Sequence, residues 1–109
     1  MAFDQELADR LASILIDEPG LSDRHMFGSF CFLINGNICA GVSGERLITR
    51  VPADAYLVML ELDGIDRFPT NERSMKGWLA IDPELIAEDE DLAKWVGQGV
   101  RVARSLPSK

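Results

Sequence analysis

The chain has 109 residues, 47% of them hydrophobic and 27% charged, which suits one domain with a single hydrophobic core and excludes a disordered chain. The longest strongly apolar run, about residues 26–34, falls short of the roughly 20 residues that a membrane-spanning helix needs. The N-terminus lacks the basic and then apolar start of a secretory signal, so we expect a cytoplasmic domain over residues 1–109, with no membrane contact.

The net charge is −7, and the acids are unevenly distributed. Residues 82–91 hold six of the 18 acids and none of the 11 bases, which leaves 12 acids against 11 bases, a net of −1, elsewhere. Because no basic stripe is present, we expect no direct binding of nucleic acid. Acids at the start of a helix and bases such as Arg101 and Arg104 near its end interact favourably with the helix dipole. This structural role is favoured for the acidic run over the alternative, an acidic docking surface.

The first predicted element is an amphipathic helix that ends at Glu18-Pro19-Gly20. Its apolar residues recur at spacings of three and four, which is the pattern of a helix with one buried face: Phe3, Leu7, Leu11, Ile14 and Leu15.

An antiparallel meander of three strands is predicted next. The first strand covers residues 25–34, the second residues 37–42 and the third residues 45–51, and Asn35-Gly36 is a strong signal for a tight hairpin turn. The first strand is apolar on both faces, with Phe30 and Phe32 on one and Cys31 and Leu33 on the other. Another element of this chain or a second copy must cover the second face, and a homodimer is predicted on this ground.

The two cysteines flank this hairpin. A two-residue turn pairs Cys31 with Ala40 and Cys39 with Phe32, which directs the two sulfurs to opposite faces of the sheet. We therefore expect buried, reduced thiols that pack as small hydrophobic groups, and no metal site.

The second half predicts two further helices separated by short strands. Pro52 is expected at the first position of a helix containing Ala53, Tyr56, Leu57 and Leu60, with Gly64 as its left-handed cap. Strands follow at residues 65–68 and 75–81, and Asp82-Pro83 starts a helical segment. The main C-terminal helix is predicted to begin within residues 88–91, with an apolar stripe at Leu92, Trp95, Val96, Gly99, Ala103 and Leu106.

The predicted order is therefore helix, three strands, helix, two strands, helix. We expect a two-layer α+β fold, in which a mainly antiparallel sheet of four to five strands carries the helices on one face.

No catalytic constellation is evident. His25 is the only histidine, and Cys31 lies six residues along the same predicted strand, about 20 Å away. The sequence has no nucleophile elbow and no glycine-rich phosphate loop. We expect no catalytic residue, no metal and no cofactor, and hence no enzyme.

Seven residues are candidates for binding a partner or a ligand: Met26, Phe27, Arg50, Met75, Lys76, Gly77 and Trp78. Arg50 shares a strand face with Ile48, where an arginine needs a carboxylate partner unless its stem only covers apolar atoms. A pocket of Met26, Phe27, Arg50, Lys76 and Trp78 would bind an anionic group, and core packing is the alternative role of these residues.

Five segments occur in an order that resembles the N-terminal domain of the TfoX/Sxy family over nearly the whole chain. They are Met26-Phe27-Gly28, residues 32–37, Arg50-Val51, Met75-Lys76-Gly77-Trp78 and a helix with Leu92-x-x-Trp95-Val96 that ends at residues 105–107.

This resemblance implies a fold similar to secretion-chaperone-like domains. It also implies a role related to regulators of natural transformation competence, which assist the cyclic AMP receptor protein at promoters. Those regulators resemble two-domain proteins, and this sequence ends at Lys109, where their helical second domain would begin. We expect a regulatory or protein-binding domain whose partner belongs to a transcription complex. The alternative is a domain that binds a small anionic metabolite, or an enzyme acting on one.

Overall fold

The computed structural model of the chain describes residues 4–26, 29–68 and 77–107. Within these residues the helices are α1 (Gln5–Leu15), α2 (Ala53–Leu60) and α3 (Asp89–Ser105), and a short 3₁₀ helix, Pro83–Ile86, precedes α3. The strands are β1 (Leu21–Met26), β2 (Ser29–Ile34), β3 (Asn37–Ser43), β4 (Arg46–Arg50), β5 (Ile65–Arg67) and β6 (Trp78–Ile81).

The described strands form one antiparallel sheet in the order β1-β2-β3-β4-β6-β5. The predicted α+β class and the order of helices and strands are confirmed, but the sheet has six strands. Residues 25–34, predicted as the first strand, are divided between two strands, because β1 ends at Met26 and β2 begins at Ser29. The pattern missed β1 because this edge strand is largely polar and exposed, so it carries no apolar alternation.

The predicted hairpin at Asn35-Gly36 is confirmed, since both residues have positive φ, 53° and 84°, as a type I′ turn requires. Its predicted register holds only for the first two pairs. Beyond them β3 contains one extra residue, Cys39, so that Phe32 pairs with Ala40 and Cys31 with Gly41. The predicted pairs Cys31–Ala40 and Cys39–Phe32 are therefore wrong, because this β-bulge shifts the ladder by one residue.

Both cysteines are free and buried, as predicted. Cys39 belongs to the main core, whereas the pairing of Cys31 with Gly41 places Cys31 on the opposite face of the sheet. Burial raises the pKa of the Cys39 thiol to about 12 and also raises the pKa of Cys31. Both groups thus hold their protons at neutral pH.

The main core lies between the sheet and the helices α1 and α3. The predicted apolar faces supply it: Leu7, Leu11 and Leu15 from α1, and Leu92, Val96 and Ala103 from α3. Alternate residues of β2, β3, β4 and β6 point into the same core, among them Phe32, Val42, Leu47 and Leu79.

The second face of the sheet is also apolar. Its register row runs from Cys31 through Gly41 and Ile48 to Ala80, and Leu33 and Trp78 lie on the same face. The apolar side chains among them are all buried within a single chain: Cys31, Leu33, Ile48, Trp78 and Ala80. A second copy is not needed to cover this face, so the predicted homodimer loses its original reason and stays a prediction.

A close contact at Gly99 sets the position of α3. A Cβ atom at Gly99 would overlap the carbonyl oxygen of Cys39 and lie 2.7 Å from Oγ1 of Thr49. The fully buried Thr49 hydroxyl lies 3.2 Å from the carbonyl oxygen of Trp95, to which it donates a hydrogen bond. Helix α3 therefore lies directly on the backbone of β3 and β4.

Two arginines attach the ends of α3 to the rest of the chain. Arg10 of α1 donates to Asp89 at 3.0 Å and to the carbonyl oxygen of Ile86 at 2.8 Å. Arg104 pairs with Glu18, beyond the end of α1, at 2.7 Å. These contacts fix both ends of α3 against α1 and the turn that follows it.

We expect Gly99→Ala to destabilise the domain by about 1–3 kcal/mol, because α3 must move away from the carbonyl oxygen of Cys39. Gly97→Ala is the matched control, since no atom lies within 4 Å of a Cβ at this position of the same helix. It should stabilise the domain by about 0.5–1 kcal/mol through helix propensity. Urea unfolding followed by circular dichroism measures both values. Equal stability of the two variants would contradict the close contact.

We expect neither thiol of the native protein to react with a thiol reagent at about pH 8, and both to react in strong denaturant. The raised pKa of Cys39 also predicts a loss of stability as the pH rises from 9.0 to about 12, because the thiol ionises first in the unfolded chain. Replacing Cys39 by Ala should remove this part of the pH dependence. Rapid labelling of the folded protein would contradict the burial of these groups.

Candidate functional sites

The structure locates four of the seven predicted site residues. Phe27, Met75 and Lys76 lie outside the described residues, and of Met26 only the strand position is described. Arg50 and Trp78 are paired on neighbouring strands, with Gly77 directly before Trp78. Met26 lies on the edge strand β1, three strands away from Arg50 on β4 and four strands away from Trp78 on β6. The structure therefore brings together Arg50, Gly77 and Trp78 and separates Met26 from them.

Arg50 stacks on an aromatic ring. Its guanidinium carbon lies 5.0 Å from the centre of the Trp78 ring, which is buried, and the charge and the ring attract each other. Among the described residues no carboxylate pairs with Arg50, so the predicted carboxylate partner is replaced by an indole ring. Burial lowers the pKa of Arg50, because desolvation disfavours its charged form.

A cavity of about 450 Å³ lies between the end of β4 and the last turns of α3. We call it the basic cavity, because two of its lining residues are arginines: it is lined by Arg50, Val51, Pro52, Ala53, Gly77, Arg101, Val102 and Ser105. Sequence patterns did not connect Arg101 and Ser105 with Arg50. The spacing of four residues between Arg101 and Ser105 places both on one face of α3, but only the packing of α3 on the sheet brings that face to β4.

Helix α2 begins at the basic cavity. Pro52 caps this helix with extended backbone, φ −56° and ψ 145°, and so lies one residue earlier than its predicted place inside the first turn. A proline side chain accepts no hydrogen bond, and the first N–H groups of α2 have no side-chain cap. Gly64, beyond the end of α2, has the predicted positive φ, 87°.

A second cavity, of about 400 Å³, lies near the start of α3. We call it the acidic groove, since its described lining combines three carboxylates and no base with apolar side chains: Leu62, Asp63, Ile65, Glu84, Leu85, Asp91 and Trp95. None of these three carboxylates forms an ion pair with a described residue.

Large apolar side chains are exposed beside the acidic groove and on α2. Leu62, which lines the groove, is 52% exposed, and Leu57 and Val58 of α2 are 65% and 66% exposed. Helix α2 is mostly apolar, yet Tyr56 is its one buried residue. Sequence patterns cannot distinguish an apolar residue of the core from one that faces solvent.

Most of the acidic run of residues 82–91 has a structural role. Three of its carboxylates stabilise the fold by ion pairs: Asp82 with Arg46 at 3.0 Å, Asp89 with Arg10 at 3.0 Å and Glu90 with Lys94 at 3.7 Å. Asp91 also lies in the first turn of α3, where the helix dipole favours an acid. Asp91 and Glu84 line the acidic groove, so the alternative interpretation, an acidic docking surface, stays a prediction for these two residues.

The described residues contain no group of three or more His, Cys, Asp or Glu side chains that could hold a metal ion. None of the helices that the structure describes is long and apolar enough to cross a membrane.

The comparison with protein families bears out the resemblance found in the sequence. The family model of the TfoX N-terminal domain matches residues 13–103, which include β1 to β6 and nearly all of α3. A search of curated proteins finds no match. Since the family model covers most of the chain, this protein belongs to the TfoX N-terminal domain family.

Proposed function

We propose that this domain is a non-enzymatic regulatory module that binds a partner protein at the acidic groove, in a role related to the control of competence genes. Membership in the TfoX N-terminal domain family supports the regulatory role. The observation that supports the place of binding is a groove that combines apolar side chains with unpaired carboxylates. The protonated, buried thiols of Cys31 and Cys39 are unsuited to nucleophilic catalysis, which favours binding over an enzymatic role.

The apolar part of the groove supplies affinity. Leu62 is half exposed and Trp95 is only partly buried, so a partner that covers them removes apolar surface from water. Aromatic residues in such positions contribute strongly to protein interfaces. Leu57 and Val58 extend the exposed apolar surface along α2, which ends just before Leu62.

The charge of the groove selects the partner. Among the described residues that line it are Asp63, Glu84 and Asp91 and no base, so a partner segment that carries Lys or Arg beside apolar residues complements it. A second copy of this domain would bring three further carboxylates to the same place, and like charges oppose that association. The partner is therefore a different protein with a basic amphipathic segment. The expected transcription complex, built on the cyclic AMP receptor protein, is the first candidate to test.

We expect the domain to bind the cyclic AMP receptor protein on promoter DNA, and to lose about tenfold or more in affinity when Leu62 is replaced by Gln. The double variant Glu84→Gln and Asp91→Asn should also weaken binding, and the binding of the wild type should decrease with added salt. Fluorescence anisotropy of a labelled domain measures these affinities.

Two controls match these changes. Ile16→Gln alters a side chain that is 72% exposed at the end of α1, and Glu88→Gln removes an exposed carboxylate that does not line the groove. Both should bind like the wild type. Equal binding by the groove variants would contradict the acidic groove, and binding to promoter DNA alone would contradict a protein partner. A dimer in light scattering that Leu62→Gln disrupts would assign the groove to a second copy instead.

A further inference from the structure

The basic cavity has a chemical character opposite to that of the chain as a whole. The protein carries 18 acids against 11 bases, yet the described residues that line this cavity include Arg50 and Arg101 and no acid. The cavity is also remote from the acidic groove, because it contacts the last turns of α3 and the groove contacts the first. The proposed binding of a partner protein at the groove does not use it.

The two arginines of the cavity differ from those that hold the fold together. Arg10, Arg46 and Arg104 each form an ion pair with an acid, whereas neither Arg50 nor Arg101 does so among the described residues. Arg50 is partly removed from water without an anion, and the contact with the Trp78 ring replaces only part of the lost solvation. The lowered pKa of Arg50 reflects this cost. An anion bound in the cavity would offset it.

Arg50 lines the cavity and also contacts Trp78, which is not one of the lining residues. Contact with the buried Trp78 ring restricts the motion of the Arg50 guanidinium, so an anion that binds it removes less conformational entropy from the side chain. A guanidinium presents its N–H groups as a planar fork that matches the oxygens of phosphate and carboxylate groups. The Ser105 hydroxyl, which also lines the cavity, donates to the Val102 carbonyl oxygen at 2.6 Å, so the arginine N–H groups are the donors for an anion.

The volume of the cavity indicates the size of its ligand. About 450 Å³ lies within the range of roughly 300–1,000 Å³ that is typical of small-molecule sites. A macromolecular polyanion would instead need a longer basic surface, and the net charge of −7 opposes its approach.

We infer that the basic cavity binds a small metabolite through a phosphate or carboxylate group, with Arg50 and Arg101 as the residues that bind the anion. This is a ligand site separate from the acidic groove, so the domain combines a small-molecule site with a protein-binding surface.

Thermal unfolding with inorganic phosphate or citrate tests this inference. Sodium chloride at equal ionic strength controls for general screening of charge. We expect at least one of the two oxyanions to raise the midpoint of unfolding by about 5 °C or more at ten times its dissociation constant. Whether phosphate alone, citrate alone or both raise the midpoint then shows which class of oxyanion the cavity prefers.

Matched variants assign the effect to the cavity. Arg101→Gln removes an exposed charge of α3 that lines the cavity, so the variant should fold and lose most of the shift. Lys94→Gln removes a positive charge two turns earlier on the same face of α3, outside the cavity, and should keep the full shift. Arg50→Lys keeps the charge but loses the planar fork, and should weaken binding.

Three results would overturn the inference: no shift with either oxyanion, an equal shift with chloride, or an equal shift in Arg101→Gln and Lys94→Gln. The variant Leu62→Gln distinguishes this site from the acidic groove, because it should lose partner binding and keep the oxyanion shift.

Discussion

The contact between Gly99 and the backbone of β3 positions the rest of the domain. Without a side chain at this residue, α3 lies directly against the carbonyl oxygen of Cys39, and the Thr49 hydroxyl reaches the helix backbone. The bulge that inserts Cys39 into β3 is part of the same contact, because it sets where that carbonyl group lies. The close approach of helix and sheet then buries the apolar stripe of α3, which supplies much of the core.

Both candidate sites depend on this placement of α3. Its first turns line the acidic groove with Asp91 and Trp95, and its last turns line the basic cavity with Arg101. Acids at the start of a helix and bases near its end also stabilise the helix itself. Asp91 and Arg101, whose charges suit the helix dipole, are therefore also among the charged residues that line the two candidate sites. Helix α2 joins the two regions, since it begins at the basic cavity and ends close to Leu62 of the groove.

The second face of the sheet illustrates how far an apolar pattern can be interpreted. Cys31 and Leu33 indicated that something covers this face, and both are buried within one chain. By contrast, Leu57 and Val58 of α2 are equally apolar and are exposed. An apolar residue is stabilised by any contact that excludes water. For Cys31 and Leu33 that contact comes from the same chain, whereas Leu57 and Val58 remain exposed and accessible to a partner.

The sequence by itself determined the elements whose signals are local. Spacings of three and four defined α1 and α3, and Asn35-Gly36 defined the hairpin because few residues adopt its positive φ values. The ordered motifs also sufficed to identify the family. Only the tertiary structure decided the bulge at Cys39, the edge strand β1 and the stacking of Arg50 on Trp78. Only the tertiary structure placed Arg101 and Arg50, which are 51 positions apart in the chain, around one cavity. Their proximity follows from the packing of a helix on a sheet, and no local sequence pattern encodes it.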